Sequence, residues 1–338
     1  MNIAVFVSQH YGGSGLYRLL LPHEKLKSWG VKVMFSDSTD PATYKGCDLF
    51  VSSKFFFVHV NGMIPILRRM GIKTIIDYDD YWVLPQGHYL YHSYKVQNTT
   101  KILCDGLRLY DHVTCATPRL ATEIAKINKN VEVFENAIDP NNEQFFVRET
   151  KSDRVRFGWI GGHCHLPDIE LLHGTPQKLT GDFEVNLFGH DLRPNSVYDK
   201  FGKIMSADGL LVKQKKFRAH AATTARRYTQ FYNLIDVALA PLVGDKFNSM
   251  KSELKMVEAG FMRKALIVSD VNPYSDLINK KNCLSCSTKT HWAKNMQRLI
   301  KNPSMCEDLA ESLYETVKDK YDLDNVTRRR LDWYKTLI

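Results

Sequence analysis

Long hydrophobic runs are missing from this chain: its longest aromatic-rich apolar stretch, Phe55 to Val60, falls far short of the roughly 20 residues a membrane-crossing helix needs. No secretion leader is expected either, because Met1 runs directly into Asn2-Ile3-Ala4-Val5-Phe6-Val7, which reads as a strand and not as a secretion signal. A cytoplasmic protein is the expectation. Cysteine is sparse and odd in number, with seven scattered at positions 47, 104, 115, 164, 283, 286 and 306, which argues against a secreted disulfide scaffold and for reduced thiols. No repeat of fixed period is visible, which sets aside a solenoid or propeller.

What is present has the balance of a globular protein, 44% hydrophobic and 25% charged, and 338 residues are enough to bury two cores of ordinary size. The formal net charge of +9 favours anionic company. Nucleotide-sugar enzymes, membrane-surface enzymes and nucleic-acid binders all carry such a charge, so it does not choose between them.

Apolar runs bounded by turn residues alternate with helical patterns through nearly the whole length, the signature of β-α units on a parallel sheet. Strands are expected at Asn2–Ser8, Val31–Phe35, Asp48–Ser52, Thr74–Tyr78, His112–Ala116 and Val131–Phe134. A charged, aperiodic seam from Asn136 to Asp153 reads as a linker. The alternation then restarts, with strands expected at Val155–Ile160, Phe183–Phe188, Leu210–Lys213, Val237–Ala240, Ala265–Val268 and Cys283–Cys286, and helices at Ala225–Asn233 and Ser249–Met262. The expected organisation is an N-terminal Rossmann-like domain over 1–145, a second over 146–320, and a C-terminal helix over 321–338 packing across the junction.

In open α/β sheets, ligands bind beyond the carboxyl ends of the strands, where loops entering helices offer backbone N–H groups to phosphate. Two glycine-rich loops hold such places, Gly12-Gly13-Ser14-Gly15 followed by Arg18, and Gly161-Gly162. Either alone could be no more than a tight turn. The segment from Phe247-Asn248 through Gly260 is the most informative, since a helix over it would set Lys251, Lys255 and Glu258 on one face. Cations at a helix start oppose the macrodipole unless an anion is bound, and a carboxylate one turn on could hold a ribose diol. An ordinary solvated helix with a Lys–Glu pair is the structural alternative.

Taken in order, Gly12-Gly13 with Arg18 and Pro22, Asp77-Tyr78-Asp79-Asp80, Thr117-Pro118, Asn136-Ala137-Ile138-Asp139, Gly158-Trp159-Ile160-Gly161-Gly162-His163, Asp236 to Leu242, Phe247 to Gly260, and Ser269-Asp270 with Pro273-Tyr274 resemble the retaining GT-B glycosyltransferases related to glycogen and sucrose synthases. The resemblance spans most of the chain. It implies an α/β GT-B fold with two Rossmann-like domains facing across a cleft. It also implies transfer of a sugar, glucose by default, from a UDP-linked donor to an acceptor hydroxyl, with retention and without an obligatory protein nucleophile, metal or cofactor. The donor site it implies comprises Gly12, Gly13, Gly161, Gly162, His163, Asn248, Lys251, Ser252, Lys255 and Glu258, with Glu258 at the second glutamate of the family motif. The first motif position falls on Met250, a departure for which Glu253 is a candidate substitute. Catalytic roles fall to Lys251 and Arg18 as cations at the leaving diphosphate and to Asp80, with Asp79 and His88 on the acceptor side.

Competing readings attach to several of these residues. Asp77-Tyr78-Asp79 contains the Asp-x-Asp that holds a metal in the other large glycosyltransferase class, and the same carboxylates could instead cap a helix. Cys283 and Cys286 have zinc-like spacing without a second pair nearby. Basic clusters at Arg68-Arg69, Lys213 to Arg218, Arg226-Arg227 and Arg328-Arg329-Arg330 could each be a solvated helix face or could track phosphates, as an acceptor of double-stranded DNA carrying a hydroxymethylated pyrimidine would require. The rivals are a surface glycan or glycolipid reached from an anionic membrane, and a non-catalytic nucleotide- or nucleic-acid-binding protein.

Overall fold

The computed structural model describes residues 1–7, 12–54, 60–148, 150, 152–191 and 196–338. The expected end of the first strand at Ser8 and most of the apolar stretch from Phe55 lie outside the described residues. By their internal packing the residues form two units, one of Met1–Ala137, Met250–Ser252 and Lys320–Ile338, the other of Ile138–Ser249 and Glu253–Asp319.

The first unit is built on β1 (Asn2–Phe6), β2 (Lys32–Ser36), β3 (Leu49–Ser53), β4 (Lys73–Tyr78), β5 (His112–Cys115) and β6 (Val131–Val133), in the order β2-β1-β3-β4-β5-β6. All neighbours are parallel. Their cores are continuously apolar because both faces are covered: Ile3, Val5, Leu49, Val51 and Ile75 cluster with Leu19 and Leu26 of the first helical stretch and Tyr334 of the last helix, Leu323–Lys335.

The second unit repeats the plan with β7 (Val155–Ile160), β8 (Phe183–His190), β9 (Phe217–Ala221), β10 (Val237–Ala240), β11 (Ala265–Ser269) and β12 (Leu284–Cys286), ordered β12-β11-β10-β7-β8-β9 and again all parallel. In each sheet the strand order reverses at one place, between β1 and β3 in the first and between β7 and β10 in the second. Those switch points are where open α/β sheets hold ligands. Both glycine-rich loops leave a strand that borders one.

Three expectations are corrected. Leu210–Lys213 is a short helix entered through Gly209 at φ +87°, with Leu211 buried and Leu210 and Val212 exposed; the strand is Phe217–Ala221. A run of four residues is too short for its period to separate the two. The helix expected over Ser249–Met262 is broken: Lys246–Ser249 ends, 250–253 is irregular, and Leu254–Phe261 begins anew. At the break Thr117 Oγ1 donates to the Met250 carbonyl, a contact that competes with helix continuation, and Asn136 Nδ2 donates to Ser252 Oγ. The helix expected over Ala225–Asn233 is a 3-10 helix at Tyr228–Leu234.

Candidate functional site

In the first unit the chain after β1 enters a helical stretch over 13–28 whose middle, Leu16–Leu20, is π-helical. The extra residue in that turn carries Arg18 inward, where it is 1% exposed. Its guanidinium forks onto Asp77 of β4, Nε and Nη2 each 2.9 Å from a carboxylate oxygen, and Nη1 reaches the Phe134 carbonyl and, at 3.2 Å, Asn136 Oδ1. Thr114 Oγ1 donates to the same Asp77 carboxylate at 2.6 Å. In this state Arg18 is an internal clamp joining the first helix to β4 and the chain after β6.

Two residues beyond Asp77 the chemistry changes. Lys54, at the end of β3, places Nζ 2.8 Å from Asp79 and 4.0 Å from Asp80 and donates to the Asp80 carbonyl. Burial pushes the Asp79 carboxyl up, but Lys54, the Ser14 hydroxyl and Arg18 outweigh it and hold the carboxyl below its ordinary range. These carboxylates pair with a lysine instead of capping a helix. Gly12 and Gly13 are exposed, and a Cβ built on either meets no described atom within 4 Å. Among the described residues, neither packing nor a positive φ demands glycine at these positions. His88 serves a local turn, its Nδ1 accepting from the Leu90 N–H.

In the second unit β7 opens into Gly161, Gly162 and His163. Gly161 is required by packing, since a Cβ would lie 2.4 Å from the Trp159 ring, whereas Gly162 and His163 are exposed. The loop is fixed by Asp168, whose Oδ2 lies 2.7 Å from His165 Nδ1 and whose Oδ1 accepts from the Val243 N–H at 2.7 Å. Asp168 thus ties the loops after β7 and β10 together across the switch point. Asn248 belongs to this scaffold: it is buried, and its Nδ2 donates to the Val243 carbonyl at 3.0 Å.

Glu258 is 0% exposed on the helix Leu254–Phe261. Tyr232 donates to Oε2 at 2.9 Å, Tyr228 donates to Oε1, and Lys255 Nζ lies 3.2 Å from Oε2. Below it Tyr274 is buried, its hydroxyl pushed up by burial and by the charges of Asp168, Glu258 and Glu253. A buried carboxylate met by two hydroxyls and a cation is fully served without a ligand. In this state it holds tyrosines where a diol was expected.

The structure therefore groups Gly161, Gly162, His163 and Asn248 around one switch point and pairs Lys255 with Glu258. It separates Lys251 and Ser252 from Lys255 by a break in the helix, so the expected single face does not form. Sequence reasoning missed Lys54, Asp168, Tyr228 and Tyr232. The two tyrosines, four apart in a helical pattern, were visible signals; Lys54 and Asp168 had none. Cys283 and Cys286 are buried at β12, burial pushing both thiols up to about 12.

No protein-family model and no curated protein sequence matches the chain. Solved structures similar to it over its full length include a sucrose-phosphate synthase from Thermosynechococcus elongatus, at TM-score 0.73 and 13% identity over 100% of this chain and 99% of that one. A glycosyltransferase from Rickettsia africae is similar at TM-score 0.72 and 13% identity, over 99% of this chain and 98% of that one. Anabaena HepE in complex with UDP-glucose is similar at TM-score 0.72 and 11% identity, over 99% of this chain and 100% of that one. The fold is that of the GT-B glycosyltransferases.

Proposed function

We propose that the protein is a retaining glycosyltransferase that moves a sugar, glucose by default, from a UDP-linked donor to an acceptor hydroxyl. The observation that supports this most is the likeness of the whole chain, both six-stranded sheets included, to sugar-nucleotide enzymes, one of them solved with UDP-glucose. In this reading the second unit holds the nucleotide. Glu258 accepts hydrogen bonds from the ribose once the Tyr228 hydroxyl gives way, and the exposed amides after Gly161 approach the diphosphate. Lys255 stabilises the negative charge that grows on the leaving group, a task that asks for no metal. In the first unit Asp79 and Asp80, steadied by Lys54, orient acceptor hydroxyls.

For the acceptor, a glycan or glycolipid hydroxyl is favoured over hydroxymethylated DNA. Arg68 is paired with Asp111, Arg218 with Glu184 and Arg329 with Glu135, while Arg330 is only 2% exposed. The basic clusters thus have fewer charges to offer phosphates than their sequence implied. The test is incubation with a panel of nucleoside diphosphate sugars, with and without chelator, reading nucleotide release and the mass of glycan and hydroxymethylated-DNA acceptors. Release of UDP with a 162-dalton gain on a glycan supports the reading; a gain on DNA transfers it to the rival acceptor, and no release from any donor sinks it.

A further inference from the structure

The loop that opens from β7 begins with Gly161 and Gly162, and the peptide between two glycines turns easily either way because neither has a Cβ to resist it. Which way it faces decides whether its N–H looks out of the loop or into the protein. Here the peptide is held by its oxygen. Tyr198, the first residue of the helix Tyr198–Met205, donates its hydroxyl to the Gly161 carbonyl at 3.1 Å. At the end of β8, Gly189 passes the same oxygen so closely that a Cβ on it would lie 2.9 Å away, and its φ of +84° separately asks for glycine.

A planar trans peptide points its C=O and its N–H in opposite directions. With the Gly161 oxygen held by Tyr198 and Gly189, the Gly162 N–H faces away from both. Gly162 is exposed, and among the described residues this N–H donates to no acceptor. Tyr198 is well placed to keep its grip. It is buried, its ring meets that of Phe201 edge-on at 5.0 Å, and burial pushes its phenol up to about 12, so it stays an O–H donor well above neutral pH. A fixed amide aimed at a phosphate oxygen needs no rearrangement when the anion arrives, which is where such donors draw their strength.

We propose that Tyr198 is a positioning residue for the donor: by holding the Gly161 carbonyl it aims the Gly162 N–H at a phosphate oxygen of the nucleotide. Its action depends on the diphosphate lying at this loop, as the donor reading has it. UDP is titrated calorimetrically into the unaltered protein, Tyr198→Phe, Gly162→Pro and the double variant. Tyr198→Phe removes one oxygen and keeps the packed ring; Gly162→Pro removes the N–H at an exposed residue whose φ is −92° and where a Cβ meets nothing nearer than 4.0 Å. Each single substitution should weaken UDP about tenfold, the share of one hydrogen bond to a charged group, with the melting temperature nearly unchanged. In the proline background Tyr198→Phe should weaken UDP no further, because there is no N–H left to aim; a tyrosine that served only packing would weaken it equally in both backgrounds. No UDP binding by the unaltered protein removes the donor reading and this role with it. UDP bound by the unaltered protein and as tightly by Tyr198→Phe, or losses that add in the double variant, overturns the role of Tyr198 and leaves the donor reading standing.

Discussion

Arg18 and Glu258 are both buried charges, and their removal should read out differently. Arg18→Ala leaves Asp77 buried without its guanidinium, so it should cost about 3–5 kcal/mol of stability, measured by urea unfolding. Glu258→Gln keeps volume and part of the hydrogen bonding to Tyr228 and Tyr232. Its main effect should be on the nucleotide, weakening UDP about 10- to 100-fold, the equivalent of one charged hydrogen bond of about 1.5–3 kcal/mol. His23 supplies a pH signature. Burial, followed by the charge of Arg330, pushes its imidazole down to about 3, while Nδ1 contacts the Leu19 carbonyl at 2.6 Å and Nε2 the Tyr334 hydroxyl at 3.0 Å. Below its ordinary value near 6.5 the unfolded chain takes up a proton that the folded chain refuses. Stability should therefore fall on acidification from about pH 6.5 towards 3, by up to about 1.4 kcal/mol per unit from this group, and His23→Gln should remove that component of the slope.

Among the elements, glycines separate packing from function. Gly260, on the helix Leu254–Phe261, faces the helix Met305–Val317, where a Cβ would lie 2.6 Å from Val317 Cγ2 and 3.3 Å from the Leu313 carbonyl. Gly260→Ala should cost about 1–3 kcal/mol in a melting experiment. Gly12→Ala meets no described atom within 4 Å and should leave the melting temperature nearly unchanged in the same experiment. Most strands were legible because buried parallel strands are short apolar runs between turn signals; β7 and β10 fall on their expected bounds. What was not legible depended on partners distant in sequence. The break at 250–253 is stabilised by Thr117 and Asn136, and nothing near Met250 announces them.

At the scale of the whole molecule, the repeated α/β plan and the placing of each glycine loop after the first strand of its sheet could be read from alternation, whereas the strand order that sets them at switch points came from the structure. The charges could not. Arg18, Arg329 and Arg330 look alike in sequence to cations that meet phosphate, yet one clamps Asp77, one pairs with Glu135, and one is buried over the Phe134 ring. A linear pattern gives the residue type and its face, while the counter-ion comes from tertiary packing. The central claim, that the second unit grips a nucleoside diphosphate through Glu258, is tested most directly by calorimetric titration of UDP and other nucleoside diphosphates into the unaltered protein and Glu258→Gln. The account predicts one saturable site preferring UDP, weakened at least tenfold by the substitution with folding intact. Binding of no nucleotide, or equal binding by both proteins, would contradict it.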